Sequence, residues 1–179
     1  MITHRGTAKI STQRLTLRRF TIDDADAMFN NWAKDHEVTK YLSWDAHPNI
    51  EYTNWRLARS VEKYERLDFY YWAIIFEGQV IGCIGGSSVG ERGYDIGYCI
   101  GRRWWNRGIM TEAVKAVIDF AFNKLSCTYA ELSYILENKA SARVAEKCGM
   151  RLVKKEKRGF TKHETEYDLG YYRIDRKEE

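Results

Sequence analysis

One stretch constrains this chain more than any other. Tyr94-Asp95-Ile96-Gly97-Tyr98-Cys99-Ile100-Gly101 is rich in apolar residues and reads as a strand; Arg102, Arg103, Arg107 and Gly108 then mark a short turn. The strongest helical pattern in the sequence follows directly. Val114, Val117, Ile118, Ala121, Phe122 and Leu125 fall at i, i+3, i+4, i+7, i+8 and i+11, which predicts a helix over about Thr111–Lys124 with one buried stripe. A strand delivered into a helix through such a turn aims free backbone N–H groups and the positive helix end at one spot. That spot suits a phosphate or pyrophosphate, with Gly108 allowing close approach and the three arginines adding charge-assisted bonds. The alternative is an ordinary strand-to-helix turn with solvated arginines.

The flanking segments alternate between strand and helix. Ile10–Phe20 reads as a strand, and Thr21-Ile22-Asp23-Asp24 has the form of a capping box before Ala25, Met28, Phe29 and Trp32 at helical spacing. Val38–Asn49 loses the period and carries Tyr41, Leu42, Trp44 and Pro48, so an aromatic loop is expected ahead of a helix over about Ile50–Arg66. Phe69–Phe76 and Gln79–Ile84 flank the two-residue turn Glu77-Gly78 of a hairpin. Tyr129–Leu136 reads as a strand, Lys139–Cys148 as a helix closed by Gly149, and Arg151–Lys157 and Thr165–Ile174 as final strands. The expectation is a single mixed α/β domain over residues 10–174, with residues 1–9 an N-terminal extension and 175–179 a frayed tail.

Composition narrows the function classes. At 179 residues, 44% hydrophobic and 30% charged, the chain suits one folded domain and excludes disorder. No apolar run approaches the roughly 20 residues that span a bilayer, and no signal-type apolar core precedes Ser11, so a cytoplasmic protein without membrane attachment is expected. Cys83, Cys99, Cys127 and Cys148 form no CxxC pair and have no histidine at ligand spacing, so neither a metal site nor a disulfide framework is expected. The net charge of +4 contains no long basic run and gives no argument for nucleic acid. Nucleic-acid binding through Arg102, Arg103, Arg107 and the neighbouring tryptophans is a weaker alternative, and it predicts steep salt dependence.

Trp105-Asn106-Arg107-Gly108-Ile109-Met110-Thr111-Glu112-Ala113 resembles the acyl-CoA-binding signature of the GCN5-related N-acetyltransferases, in particular the RimJ/RimL-like ribosomal-protein branch. Ile10–Asp24 resembles that branch's opening strand and helix start; Tyr71–Ile74 with Val80–Gly82 resembles its central hairpin; Asn138 and Ser141 through Gly149 and Met150 resemble its late helix. The likeness covers most of residues 10–172, in the family's order. It implies a twisted, mostly antiparallel sheet of about seven strands, splayed between the fourth and fifth, with helices on both faces. Acetyl-CoA would be the co-substrate, its pyrophosphate on the N–H groups of Arg107, Gly108, Ile109, Met110 and Thr111, its pantetheine beside Cys99, Ile100, Gly101 and Asn138. Trp105 and Met110 depart from the wider pattern, and Met110 is expected to crowd the loop. A homodimer also fits the resemblance.

Acetyl transfer needs a neutral amine. At pH 7 a lysine amine is neutral about once in 2,500 molecules and an α-amino group roughly one time in ten, so an N-terminal acceptor asks less of a base. Asp95 is the candidate base, with a surface ion pair as the alternative. The tyrosine that many relatives use to protonate the departing thiolate is replaced here by Ala145, and Ser141 is the donor that the branch pattern implies; otherwise Ser141 bonds backbone near a helix start. A strand N–H near Cys99 would polarise the carbonyl. Cys99 as a covalent nucleophile lacks a base. The acceptor is a protein N-terminus or a small amine such as a polyamine, amino acid or aminoglycoside, and a CoA-binding module without turnover is the reading from another class.

Overall fold

The computed structural model describes residues 1–177, and among them eight strands form one sheet in the order β1-β2-β3-β4-β5-β6-β8-β7. These are β1 (Ile10–Ser11), β2 (Leu15–Arg18), β3 (Tyr70–Phe76), β4 (Gln79–Val89), β5 (Gly93–Ile100), β6 (Tyr129–Ile135), β7 (Arg151–Lys162) and β8 (Thr165–Asp175). The eighth strand arises because the expected strand Ile10–Phe20 folds back on itself, pairing Ile10 with Leu17. Every neighbouring pair is antiparallel except β5 and β6.

That parallel pair is brief. Gly93 pairs with Tyr129, Tyr94 with Ala130 and Asp95 with Glu131, while β5 runs on to Ile100 and β6 to Ile135 without further ladder partners between them. With β1 and β2 counted as one strand, this is the splay expected between the fourth and fifth. The fold is the expected single-domain mixed α/β arrangement.

Helices cover both faces. On one side α4 (Ile109–Asn123) and α5 (Lys139–Lys147) bury Val114, Val117, Ala121 and Ala145 against Tyr94 and Ile96. On the other, α1 (Ala25–Met28) and α3 (Ile50–Glu62) bury Met28 and Leu57 with Trp32 and Tyr64 against Ala73, Cys83 and Cys99. Each valine, leucine or methionine side chain so buried contributes about 1.5–3 kcal/mol. The period of two along β5 sends Tyr94, Ile96 and Ile100 to the first core and Cys99 to the second.

Boundaries differ from the sequence expectation where tertiary bonds decide them. α4 starts at Ile109 rather than Thr111, because Gly108 at φ 72° caps it and its carbonyl accepts the Glu112 N–H at 3.1 Å. α3 ends at Glu62, before a 3-10 turn over Lys63–Glu65. The aromatic loop contains a short helix, α2 (His36–Thr39), because the Asp35 carboxylate caps the Glu37 N–H at 3.0 Å. The β7–β8 hairpin is longer than expected and mostly exposed along β7. Near its tip the Lys162 ammonium donates to the carbonyls of Thr39, Leu42 and Trp44 at 2.9, 3.0 and 3.1 Å, which ties the aromatic loop down.

The first residues run along the body of the domain, with the Thr3 N–H on the Leu125 carbonyl and the Gly6 N–H on that of Leu67. At the other end Asp175 closes β8 and the Arg176 N–H bonds the Thr128 carbonyl at 2.8 Å; residues 178–179 of the expected tail lie outside the described residues. No helix among the described residues is long and apolar enough to cross a membrane.

Candidate active site

The turn between β5 and α4 forms a concave row of donors. Asn106 and Gly108 both take left-handed backbone, φ 60° and 72°, on either side of Arg107, and such alternation turns successive N–H groups inward. Trp104, Trp105 and Glu112 spend their N–H groups on the Gly101, Arg102 and Gly108 carbonyls. Those of Asn106, Arg107, Gly108, Ile109, Met110 and Thr111 meet no protein acceptor among the described residues. Glycine at 108 serves this shape: an L side chain at φ 72° would be strained, although nothing but the Arg14 guanidinium, 3.7 Å away, stands near a Cβ there.

The row is braced from behind by the β1–β2 turn. Glu112 accepts from the Thr12 hydroxyl at 2.6 Å, the Arg14 N–H at 2.9 Å and Arg14 Nε at 2.7 Å, and Arg14 Nη1 donates to the Arg107 carbonyl at 3.1 Å. Burial works against this carboxylate, but the bonds from Thr12 and Arg14 hold it below its ordinary range. The negative charge in the first turn of α4 is therefore already neutralised, leaving the inward N–H groups for another anion.

These N–H groups open into a cleft of about 720 Å³ between the turn, α2 and α5, a size suited to a cofactor-sized ligand. Its charged lining is Lys40, Arg107, Lys139, Arg143 and Lys147 against Glu37 and Glu137. The first step of α5 sets Asn138 as its cap, the side-chain oxygen accepting the Ser141 N–H at 3.2 Å. Ser141, 8% exposed, meets the Tyr98 hydroxyl through its Oγ at 2.9 Å across the splay. Burial pushes the Tyr98 phenol well above its ordinary pKa, so it stays protonated.

Tyr98 and Cys99 also line a second cavity of about 400 Å³ on the opposite side of β5, under α3 and the aromatic loop. The two cavities meet there and at Leu42. A molecule held by the N–H row can thus present its far end to one held under α3. The Cys99 sulfur lies 3.3 Å from that of Cys83, whose hydrogen bond, with burial, holds the Cys99 thiol well above its ordinary pKa; this argues against a thiolate nucleophile. Asp95 lines neither cavity. It sits at the last β5–β6 pair, where burial and then the Glu131 charge push its carboxyl up to about 6. Strand alternation puts it on the face of Gly97, which does line the second cavity.

Of the residues singled out in the sequence, Cys99, Ile100, Arg107, Gly108, Ile109, Met110, Thr111, Asn138 and Ser141 come together around the cleft. Gly101, Arg102 and Arg103 do not line it. Arg102 is ion-paired to Asp35 at 2.6 Å, Arg103 lies over the Trp104 ring, and a Cβ at 101 would fall 2.3 Å from the Asn31 carbonyl. Met110, expected to crowd the loop, is 7% exposed and belongs to the buried core while also lining the cleft. The sequence reading missed Tyr98 and the basic row Lys139, Arg143 and Lys147, although four-residue spacing on a helix was a usable signal. No group of three or more histidine, cysteine, aspartate or glutamate side chains among the described residues is placed to hold a metal ion.

A splayed sheet with a strand-to-helix turn at the mouth of the gap is the arrangement that the resemblance to the acetyltransferases implied. Residues 14–151 match the family described as "Acetyltransferase (GNAT) domain", and the chain belongs to that family. It is similar to the "Uncharacterized N-acetyltransferase YoaA" of Bacillus subtilis (strain 168), at 27% identity over 169 residues covering 92% of this chain and 95% of the relative. It is also similar to the crystal structure of a GNAT-family acetyltransferase from Bacillus anthracis, with 25% identity, TM-score 0.83 and 94% and 98% of the two chains covered. The RimL ribosomal L7/L12 alpha-N-protein acetyltransferase, solved with coenzyme A, shares the fold at TM-score 0.84, with 17% identity and 94% and 98% coverage. The chain is an N-acetyltransferase.

Proposed function

We propose that the protein transfers the acetyl group of acetyl-CoA to a primary amine by direct attack in a ternary complex, and that the amine is the α-amino group of a protein, such as a ribosomal protein. The observation that carries this reading is the row of unpartnered N–H groups from Asn106 to Thr111, at one end of a cleft whose other end meets the second cavity at Tyr98 and Cys99. The pyrophosphate rests on that row and on Arg107, while Lys139, Arg143 and Lys147 supply further positive charge. Bound acetyl-CoA supplies the activated acyl group. Asp95 takes the amine proton through water on the Gly97 face of β5, its raised pKa suiting a base that works near neutrality. Of the paired Ser141 and Tyr98 hydroxyls one donates to the other, and the proton left outside the pair is given to the departing sulfur.

The carboxylates at 23–51 bear on the choice of acceptor. Asp24 pairs with Arg18, Asp35 with Arg102 and Asp45 with Lys162, and none of the acidic residues in that range lines the cavity under α3. A polyamine or aminoglycoside therefore finds no counter-charge from that segment. Calorimetric titration with acetyl-CoA followed by thiol release against N-terminal peptides and small amines tests the reading. Micromolar binding with release on a peptide is expected; binding without release on any amine would leave a CoA-binding module, and no binding would remove the anion cradle.

A further inference from the structure

The cavity under α3 has a sign. Its charged lining consists of Arg56 and Lys63, with no carboxylate. With Ser60, which also lines it, these fall at i, i+4 and i+7 of α3 and its following turn, one face looking across at the cavity wall formed by Gly85, Gly86 and Gly97. Neither cation is in an ion pair among the described residues; Lys63 lies over the Phe69 ring at 5.8 Å. The carboxylates nearest in sequence are used elsewhere or lie outside the lining: Asp68 is paired with Arg66, Asp45 is engaged by Lys162 and His163, and Glu51, Glu62 and Glu65 do not line the cavity.

The third nitrogen base in the lining is His47, 8% exposed, its Nδ1 2.8 Å from the Thr53 hydroxyl. Burial, and then the Arg56 charge, push it down to about 4, so the ring is neutral at working pH and offers hydrogen bonding rather than a third charge. Trp44, Tyr71 and Phe69 give the rest of the surface an aromatic character. Two unpaired cations above an aromatic floor, opening toward Tyr98 and Cys99, suit a ligand with an amine at its inner end and an anion toward α3. A free cation brought to the same place meets repulsion from both.

We propose that the acceptor is a peptide N-terminus bearing an acidic side chain within its first few residues, whose carboxylate is held by Arg56 and Lys63 while the α-amino group reaches the junction at Tyr98. This rests on the acetyl-transfer reading above and adds the sign of the substrate to it. The carboxylate is recognised without being consumed, so the chemistry of transfer is unchanged.

The test is thiol release from acetyl-CoA with tetrapeptides that share the first residue and carry either glutamate or lysine at the second and third positions, alongside free amino acids and spermidine. The wild type should favour the acidic peptide at least tenfold in kcat/KM. Arg56→Glu with Lys63→Glu should bring that ratio to one or below, mainly through KM, with acetyl-CoA affinity unchanged by calorimetry. Arg56→Gln with Lys63→Gln provides a milder version should the reversal disturb folding. Equal rates on both peptides, or equal losses on both in the variants, would overturn the charge assignment and leave acetyl transfer standing. Turnover of free amino acids but no peptide would overturn the peptide assignment. Acetyl-CoA binding without turnover of any amine would overturn this proposal together with the reading on which it rests.

Discussion

Asp95→Asn separates the burial of a carboxylate from its chemistry. Burial and the Glu131 charge move the Asp95 carboxyl from 3.8 to about 6. At 1.36 kcal/mol per pH unit this corresponds to about 3 kcal/mol. The native state holds the proton up to about pH 6, whereas the unfolded chain has released it by about pH 4. Native protein therefore binds more protons across that window, and its stability falls as pH rises, reaching the full loss above about pH 6. Asparagine cannot ionise and closely matches the shape of the aspartate it replaces. Urea unfolding at pH 4 and pH 8 should then show near-equal stability at the lower pH and a variant more stable by up to about 3 kcal/mol at the higher, with m unchanged. A stability difference that does not vary with pH would refute the placement of the charge. In the same preparations, wild-type kcat/KM should rise through about pH 6 and the variant should lose that limb with an about 10²-fold or larger drop. A variant that gains stability yet keeps the wild-type profile would remove Asp95 from the reaction while leaving its burial intact.

Ser141→Ala should lower kcat by about tenfold or more with acetyl-CoA affinity held within about twofold, and wild-type turnover would exclude the hydroxyl from thiolate protonation. Tyr98→Phe should cost about 1 kcal/mol in thermal or urea unfolding through the lost bond to Ser141, and its kcat should fall with that of Ser141→Ala in a non-additive cycle; additive losses would mean that the two hydroxyls act separately. Gly108→Ala keeps open space around the new methyl but forces it to φ 72°, so about 1 kcal/mol of stability and a larger share of acetyl-CoA affinity should be lost, and tight binding in calorimetry would show that the N–H row is not the anion site. Gly97→Leu meets no atom within 4 Å of its Cβ and projects into the acceptor cavity, so the acceptor KM should rise while folding is kept; an unchanged KM would place the amine elsewhere.

What was legible in the sequence follows from how local the cause is. The α4 stripe, the Glu77-Gly78 hairpin and the Gly149 helix stop, at φ 79°, depend on residues within a few positions of one another, and all three appear where spacing and turn chemistry put them. The arginines show where local reasoning stops. Arg102, Arg103 and Arg107 look alike within one short turn, yet Asp35, far off in the chain, takes Arg102 out of the cleft, and the ring of Trp104 takes Arg103. Arg107 remains because Arg14, from the other end of the sheet, binds its carbonyl and Glu112 and sets the direction of the whole turn. The same rule explains the acceptor side. Asp24, Asp35 and Asp45 belong to a carboxylate-rich segment, but Arg18, Arg102 and Lys162 neutralise them outside the cavity, and what faces inward is Arg56 and Lys63. The sign of a site is set by the charges left unpaired after folding, so a count of carboxylates along a segment can point to the opposite of what the folded cavity prefers.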